Sequence, residues 1–414
     1  MYYELILCAM QYIYRILFIT VVVVLFCTCG NKGKKTIVTP WGEVVGDSIS
    51  TSSNFSIDEI INNGEMIILT ISGPDTYFDY HGKGMGTQYL LCEKFAQSIG
   101  VSLRAEVCRD TAEMVKRLNN GEADMIVLSN AGMLKGQKEL CKCVKNEGVG
   151  WIVTKKNKAL AEAVSKWFLP SYISQVKNEE KWMFSTHSVS RHVYSPILNR
   201  SGGVISKYDI LFRRYAPIAR LDWKLLAAQC YQESCFDPCA RSWAGARGLM
   251  QIMPSTADHL GLAYSDLENP EKNIEAAVRL HAELLEKFGD VSSMNDRQCF
   301  VLASYNGGAY HVRDAMALTK KNGGNPQSWN HVAPYILKLQ QPKYYNDPIV
   351  KYGYMRGSET VEYVECIRQR YAQYRGIRLA TKVIKNNDFN SSNGEQSPGL
   401  MVPRRATKKY KYHI

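Results

Sequence analysis

The chain has 414 residues, enough for two or three domains with hydrophobic cores, and its 45% hydrophobic and 22% charged residues exclude a wholly disordered protein. The formal net charge of +12 favours an anionic partner such as nucleic acid, a membrane surface or an acidic polymer. The sequence carries no nucleic-acid-binding motif, so nucleic acid is not the expected partner.

Residues 1–28 have the pattern of a secretory signal. Arg15 precedes a largely apolar run at 16–27, which is too short to cross a bilayer comfortably but suits the hydrophobic region of a signal. Thr28 then precedes Cys29, and this order resembles the cleavage site of a bacterial lipoprotein. The resemblance implies that Cys29 is the lipidated first residue of the mature protein. The alternative is a cleaved signal or short anchor with an incidental cysteine.

The chain has twelve cysteines, which in an exported protein would ordinarily suggest disulfides. Three lie in the signal region, which leaves an odd number. Neither the cluster around Cys235 nor the pair Cys141 and Cys143 has the spacing of a zinc site with a second half. We therefore expect small buried cysteines, no metal and no cofactor.

Residues 29–63 are polar and rich in Ser, Thr, Asn and Gly, which is typical of a tether between a membrane and a folded unit. Beyond them, strand patterns alternate with helical patterns. Strands are predicted at 66–72, 101–107 and 123–129, and helices at 87–100 and 111–121. This alternation predicts a small parallel α/β lobe over residues 64–170.

Two stretches of this lobe, TYFDYHGKGMGTQYLLCEKFAQSIGVSL and LNNGEADMIV, resemble the first lobe of a periplasmic solute-binding domain of the amino-acid type. Such domains continue into a second lobe of comparable size. Here the pattern of a returning strand and closing helix follows directly, at 148–168. The resemblance therefore implies a truncated lobe with a structural or docking role. A ligand sensor is the alternative.

Pro170 marks the expected end of this lobe, because a helix usually ends before the residue that precedes a proline. A polar connector at 171–207 leads to a helical domain at 208–378. The remainder, 379–414, is rich in Asn, Ser and Gly and then basic, a composition typical of a disordered tail that can touch anionic surfaces.

A lone carboxylate stands near the end of the first long helix of this domain. The helix is predicted to begin after Asp222, and Glu233 lies on its apolar stripe of Trp223, Leu226, Ala227 and Cys230. Burial of a carboxylate is costly and raises its pKa, which is the property that a general acid needs at neutral pH. The alternative for Glu233 is a helix-end or salt-bridge residue.

Three further features follow Glu233. The loop AGARGLMQIMP at 244–254 has two glycines that permit tight turns. An amphipathic helix is predicted from Asn269 to Phe288, and His281 on its apolar stripe is expected to be a core histidine rather than a catalyst. Tyr305 and Asn306 then stand just before two glycines.

The motifs ES, GLMQIMPSTA and SYNGG, in this order and spacing, resemble the soluble-lytic-transglycosylase domain, a goose-lysozyme-like α fold that acts on peptidoglycan. The likeness continues through NPQSW and residues 340–367. With the upstream lobe, the chain resembles the membrane-bound lytic transglycosylase F type. The resemblance implies an α+β multidomain protein, with a small parallel α/β lobe followed by an all-α lysozyme-like catalytic domain.

Glycosidases commonly use two carboxylates. The resemblance instead implies that Glu233 serves alone, first as acid on the bond between N-acetylmuramic acid and N-acetylglucosamine. It then serves as base on the muramic 6-hydroxyl, which closes a 1,6-anhydro ring without consuming water.

The resemblance also implies supporting roles near Glu233. Ser234 is expected to bind substrate or orient Glu233, with helix capping as the alternative. Met250 and Gln251 are expected to line the saccharide groove with their side chains.

Three residues of later helices complete the implied site. The hydroxyl of Tyr305 is expected to contact the catalytic carboxylate, and Asn306 to help bind sugar. Tyr363 is expected to close the site near the acid. For Asn306 and Tyr363 the alternative is core packing.

The sequence thus predicts an exported peptidoglycan lytic transglycosylase, held as a lipoprotein on the periplasmic side of the outer membrane. Its expected partners are peptidoglycan glycan strands and, through the lipid anchor, the membrane. The rival hypotheses are a lysozyme-type hydrolase, in which water replaces the 6-hydroxyl, and a wall-binding scaffold with an inactive site.

Overall fold

The computed structural model of the chain describes residues 55–134 and 137–376, together with two short paired strands, β1 (Ile37–Val38) and β2 (Val44–Val45). The predicted signal at 1–28, the lipidation site Cys29 and the predicted tail at 379–414 lie outside the described residues. Among the helices described, none is both long enough and apolar enough to cross a membrane.

The N-terminal lobe is an α/β unit. Its strands are β3 (Glu65–Thr70), β4 (Phe78–Tyr80), β5 (Lys83–Met85), β6 (Ser102–Val107), β7 (Met125–Leu128), β8 (Leu140–Lys142) and β9 (Gly150–Thr154). Its helices are α1 (Ile57–Asn63), α2 (Thr87–Ser98), α3 (Thr111–Asn119), α4 (Lys158–Trp167) and α5 (Ser171–Met183). The predicted strands and helices between residues 66 and 129 are therefore present.

The main sheet has the strand order β6-β3-β7-β9-β8. The pairs β6-β3 and β3-β7 are parallel, as predicted, whereas β9 runs antiparallel to both β7 and β8. The sheet is thus mixed, and the prediction of a wholly parallel lobe was wrong at this side. The reason is the short connection of residues 143–149 between β8 and β9, since strands joined by a short loop pair antiparallel, whereas a parallel neighbour requires a longer crossover.

The folded lobe extends beyond the predicted range of 64–170 on both sides. Helix α1 lies in the predicted tether, starts with a capping box formed by Ser56 and Glu59, and buries Ile60 in the core of the lobe. Helix α5 lies in the predicted connector and buries Val176 in the same core. Each helix buries a single side chain fully, which leaves little periodic signal in the sequence.

The second unit is helical. Its helices are α6 (Asp209–Tyr215), α7 (Trp223–Ser234), α8 (Pro254–Leu260), α9 (Pro270–Lys287), α10 (Met294–Gly307), α11 (Ala309–Lys321), α12 (Trp329–Lys338), α13 (Pro342–Tyr345) and α14 (Gly357–Tyr374). The predicted caps are present: the side chain of Asp222 accepts from the N–H of Lys224, and that of Asn269 from the first turn of α9. A small antiparallel pair, β10 (Val189–Ser190) with β11 (Arg241–Ser242), precedes and follows α7.

The two units pack against each other through the β4-β5 hairpin. The ring of Tyr80 stacks on that of Trp243 with 5.9 Å between centroids and 3° between planes, and the Tyr80 hydroxyl donates to Glu359 at 2.8 Å. Nearby, Tyr354 of the helical unit is buried in the core of the lobe, and its N–H donates to Ser72 Oγ at 2.8 Å. The hairpin tip consequently reaches the cleft of the helical unit.

Candidate active site

A cleft of about 260 Å³ opens where the end of α7, the loop before α8, and helices α10 and α14 meet the hairpin tip of the first lobe. Five of the residues predicted for the site line it: Glu233, Gln251, Tyr305, Asn306 and Tyr363. An adjoining cleft of about 410 Å³ shares Tyr80, Tyr305 and Asn306 with it. The structure therefore brings together residues that lie up to 130 positions apart in the chain.

Glu233 lies in the last turn of α7, just before the chain turns sharply at Cys235 and Phe236, which have φ values of 52° and 64°. The side chain is half-buried at the cleft. Burial raises the pKa of Glu233 to about 7, although the hydrogen bond from Tyr363 and the charge of Arg191 oppose the rise. A substantial fraction of this carboxyl group is therefore protonated at neutral pH.

The tyrosine that contacts the acid is Tyr363. Its hydroxyl donates a hydrogen bond to Oε1 of Glu233, and its ring is buried. Behind it, Gln229 Nε2 donates to the Tyr363 hydroxyl at 3.0 Å, and His281 Nε2 lies 2.6 Å from Gln229 Oε1. Tyr363 is thus held between the acid and a buried polar pair.

Tyr305 does not make the contact expected of it. Its hydroxyl donates to the main-chain carbonyl of Met250 at 2.8 Å. The expectation that Tyr305 contacts the carboxylate was therefore wrong in this structure, and Tyr363 takes that position. The physical reason is that α10 directs the Tyr305 hydroxyl toward the GLMQ loop, where an unpaired carbonyl needs a donor.

Met250 also differs from the expectation. Its side chain is fully buried in the core of the helical unit, so it does not line the cleft. Its main chain is used instead: its N–H donates to Asn273 Oδ1 at 2.8 Å and its carbonyl accepts from Tyr305. Met250 therefore anchors the loop.

Gln251 lines the cleft from a left-handed backbone conformation, with φ of 49°. Its Nε2 donates to the carbonyls of Ala240 at 3.1 Å and Gly248 at 3.0 Å, which fixes the turn. Gly248 has φ of 81°, and a Cβ there would lie 2.2 Å from the Leu267 carbonyl oxygen. Only glycine fits this close approach.

Ser234 faces away from the cleft. It is fully buried, and its hydroxyl donates to the Cys230 carbonyl one turn earlier at 3.1 Å. Ser234 therefore does not line the cleft, and its position fits the alternative of a hydroxyl bonded within its own helix. Asn306 does line the cleft, and its Oδ1 accepts from Thr360 Oγ1 at 2.8 Å.

Several residues at the site were missed by the sequence predictions. Arg191 Nη1 donates to the main-chain carbonyl of Glu233 at 2.9 Å, and Arg191 lies in the connector, where no periodic pattern marks it. Glu359 lines the cleft and is held by Tyr80 at 2.8 Å and by Arg356 at 3.2 Å. Glu359 lies four residues before Tyr363 on α14, so helical spacing alone could have found it.

Among the residues described, no group of three or more His, Cys, Asp or Glu side chains is placed to hold a metal ion. The cysteines described are free thiols and most are buried, as expected.

Comparison with known proteins identifies the helical unit. The family model for the Transglycosylase SLT domain matches residues 210–328. The chain is 32% identical over 271 residues to the membrane-bound lytic murein transglycosylase F of Aeromonas salmonicida, an alignment that covers 63% of this chain and 53% of that protein. It is 26% identical over 417 residues to the protein of the same name from Klebsiella pneumoniae, covering 75% and 80% of the two chains.

The chain spans about half the length of the Aeromonas relative. Among solved structures, the 70 kDa soluble lytic transglycosylase of Escherichia coli aligns at 27% identity with a TM-score of 0.29, covering 41% of this chain and 24% of that chain. Residues 210–328 match the family model of the Transglycosylase SLT domain, and the similarity to the two lytic murein transglycosylase F proteins confirms the resemblance of the chain to the membrane-bound lytic transglycosylase F type.

Proposed function

We propose that this protein is a peptidoglycan lytic transglycosylase, which cleaves the β-1,4 bond between N-acetylmuramic acid and N-acetylglucosamine and leaves a 1,6-anhydro end. The observation that carries the proposal is Glu233, a carboxyl group with its pKa raised to about 7, standing in a cleft of an SLT domain. A second carboxylate at the cleft, Glu359, is held by Tyr80 and Arg356, and a third, Glu362, is exposed.

In the first step, protonated Glu233 donates its proton to the glycosidic oxygen as the bond to the muramic anomeric carbon breaks. A pKa near the working pH suits this role, because a general acid must be protonated and yet able to release its proton. The N-acetyl group of the substrate stabilises the positive charge that develops on the sugar, as in substrate-assisted glycosidases.

In the second step, the Glu233 carboxylate takes the proton of the muramic 6-hydroxyl, whose oxygen bonds to the anomeric carbon. The acid is regenerated and no water is consumed. The Tyr363 hydroxyl donates to Oε1 and so stabilises the charged form that exists between the two steps.

The surroundings of the site suit a wall enzyme. We expect the helical unit to be lysozyme-like and the first lobe to be a truncated solute-binding-like unit with a docking role, since its hairpin forms one wall of the cleft. The net charge of +12 favours contact with an acidic wall polymer. Lipidation of Cys29 would hold the protein on the periplasmic side of the outer membrane.

The experiment is digestion of purified peptidoglycan by the full-length protein in detergent, with the products weighed by mass spectrometry. Muropeptides one water lighter than lysozyme products, absent with Glu233→Gln, are expected. Glu362→Gln is the matched control, because it neutralises an exposed carboxylate of the same cleft and should keep the products. Full-mass reducing ends would identify a hydrolase, and no products from the unaltered protein would favour a scaffold.

A further inference from the structure

Three buried polar side chains form a chain of hydrogen bonds behind the acid. Gln229 on α7, His281 on α9 and Tyr363 on α14 have exposed fractions of 0%, 1% and 6%. The bonds run from His281 to Gln229 at 2.6 Å, from Gln229 to the Tyr363 hydroxyl at 3.0 Å, and from that hydroxyl to Glu233 Oε1. Buried polar groups destabilise a fold unless they are hydrogen-bonded, and a fully bonded set of them fixes one arrangement of its side chains. We therefore ask what this arrangement does for Glu233.

The imidazole of His281 is neutral and carries one N–H. Burial lowers its pKa to about 4, and its ring stacks on Tyr305 with 5.3 Å between centroids. Its Nδ1 has no hydrogen-bond partner among the residues described. A buried N–H without an acceptor is costlier than a bare lone pair, so the proton lies on Nε2 and is donated to Gln229 Oε1.

This donation decides which way the Gln229 amide points. An amide can turn end for end with little change in shape, and only its partners distinguish its oxygen from its nitrogen. With the oxygen held by His281, the nitrogen faces Tyr363 and donates to the hydroxyl oxygen. The hydroxyl hydrogen is then left for Glu233, which is the acceptor on its other side.

We propose that His281 and Gln229 are positioning residues for the reaction of Glu233, because together they set the direction in which Tyr363 donates its hydrogen. This inference rests on the proposed transglycosylase function and adds to it two residues that do not touch substrate. It also gives His281, a residue of the apolar stripe of α9, a role beyond filling the core.

Other ionisable groups also act on Glu233. Arg191 lies beside it from the connector, Glu359 faces it from α14, Tyr305 from α10 and Tyr80 from the hairpin, and Cys230 lies one turn earlier on α7. Substitution of Gln229 or His281 leaves all of these in place. Gln229 also lowers the pKa of Glu233 through a side-chain hydrogen bond of its own, so the rise in Gln229→Leu includes the loss of that bond. The change in the titration of Glu233 in His281→Leu, which keeps Gln229, therefore reports the direction of the Tyr363 hydroxyl.

The test compares His281→Leu, Gln229→Leu, the double variant and His281→Gln in the full-length protein. The hydrogen bond from Tyr363 favours the charged form of Glu233. If the Tyr363 hydroxyl no longer points its hydrogen at Glu233, the pKa of Glu233 rises and the alkaline limb of the pH–rate profile moves to higher pH. We expect His281→Leu to lower kcat about tenfold, with KM changed less than about twofold. His281→Gln, which keeps an N–H donor, should recover most of the rate.

Because the three side chains act as one unit, the double variant should be no slower than the slower single variant. Thr319→Val is the matched control: it removes a fully buried hydroxyl that donates to the Ala315 carbonyl at 2.8 Å. Its helix, α11, contributes no residue to the chain of bonds or to the lining of the cleft that holds Glu233. It should lower thermal stability and leave the pH–rate profile unchanged.

A second readout does not need activity. The titration of Glu233 is followed by carbon-13 NMR of glutamate-labelled protein, assigned with Glu233→Gln, and should move upward in His281→Leu. If the unaltered protein has no activity, the proposed function is wrong. The NMR titration of Glu233 then tests the positioning role by itself. Folded Leu variants with an unchanged Glu233 titration and kcat would overturn the inference. If a single Leu variant does not fold, the double variant, which leaves neither polar partner unpaired, decides in the same way.

Discussion

The hydroxyl of Tyr363, in the second turn of α14, donates a hydrogen bond to Oε1 of Glu233, in the last turn of α7. The two bonded residues are 130 positions apart in the chain, and their helices pack closely against each other. It also couples a group whose pKa burial raises to about 7 with a donor that favours its charged form.

Tyr363→Phe should therefore lower kcat about tenfold and move the alkaline limb of the pH–rate profile to higher pH. The sign follows from the loss of a donor to the carboxylate, which raises the pKa of Glu233. The variant also leaves Gln229 Nε2 without its partner, so we expect a loss of about 1–3 kcal/mol in the free energy of unfolding. Steady-state rates between pH 5 and 9, with denaturant unfolding, would check both effects. An unmoved limb would contradict the role given to this bond.

Glu233 should make the stability of the protein depend on pH. Its pKa is raised from 4.5 in the unfolded chain to about 7 in the fold, so the fold disfavours the charged carboxylate. The stabilising contribution of Glu233 to the free energy of unfolding is fully present below pH 4.5 and is lost as the pH rises through 7. Glu233→Gln should consequently be more stable than the unaltered protein at pH 8, by about 1–3 kcal/mol since the side chain is half-buried.

Thermal unfolding of the two proteins at pH 4.5 and pH 8 measures this effect. The advantage of Glu233→Gln should shrink toward the lower pH. An advantage that is equal at both values would show that the substitution acts through packing rather than through the charge of the carboxylate.

Gly248→Ala should be among the more damaging single substitutions in the helical unit. The added Cβ would lie 2.2 Å from the Leu267 carbonyl oxygen and 2.5 Å from Asn273 Nδ2, at a φ of 81°. Gly261 is the matched control, because it has a similar φ of 69° and nothing within 4 Å of an added Cβ. We expect Gly261→Ala to cost about 1–2 kcal/mol for the left-handed backbone alone, and Gly248→Ala about 2 kcal/mol more.

Denaturant unfolding of the two alanine variants gives the difference directly. Gly248→Ala should also impair peptidoglycan digestion, because Gln251 Nε2 bonds the Gly248 carbonyl and the turn carries Gln251 to the cleft. Equal losses of stability in the two variants would mean that the loop relaxes without disturbing Leu267.

Much of the local structure could be predicted from the sequence. Asp222 and Asn269 cap α7 and α9 as expected, because capping depends on side chains within three residues of the helix start. The position of Glu233 on the inward face of α7 follows from helical spacing. The antiparallel course of β9 was not predicted, since hydrophobic alternation carries no information about strand direction.

The sequence by itself determined helices α7 and α9, their caps and a set of residues gathered around Glu233, because these depend on spacing along the chain and on motif resemblance. Only the tertiary structure decided that Tyr363 rather than Tyr305 bonds the acid, that the Met250 side chain is core, and that Tyr80 of the first lobe walls the cleft. These contacts join residues 55 to 279 positions apart, and their geometry depends on how whole helices pack rather than on any local pattern.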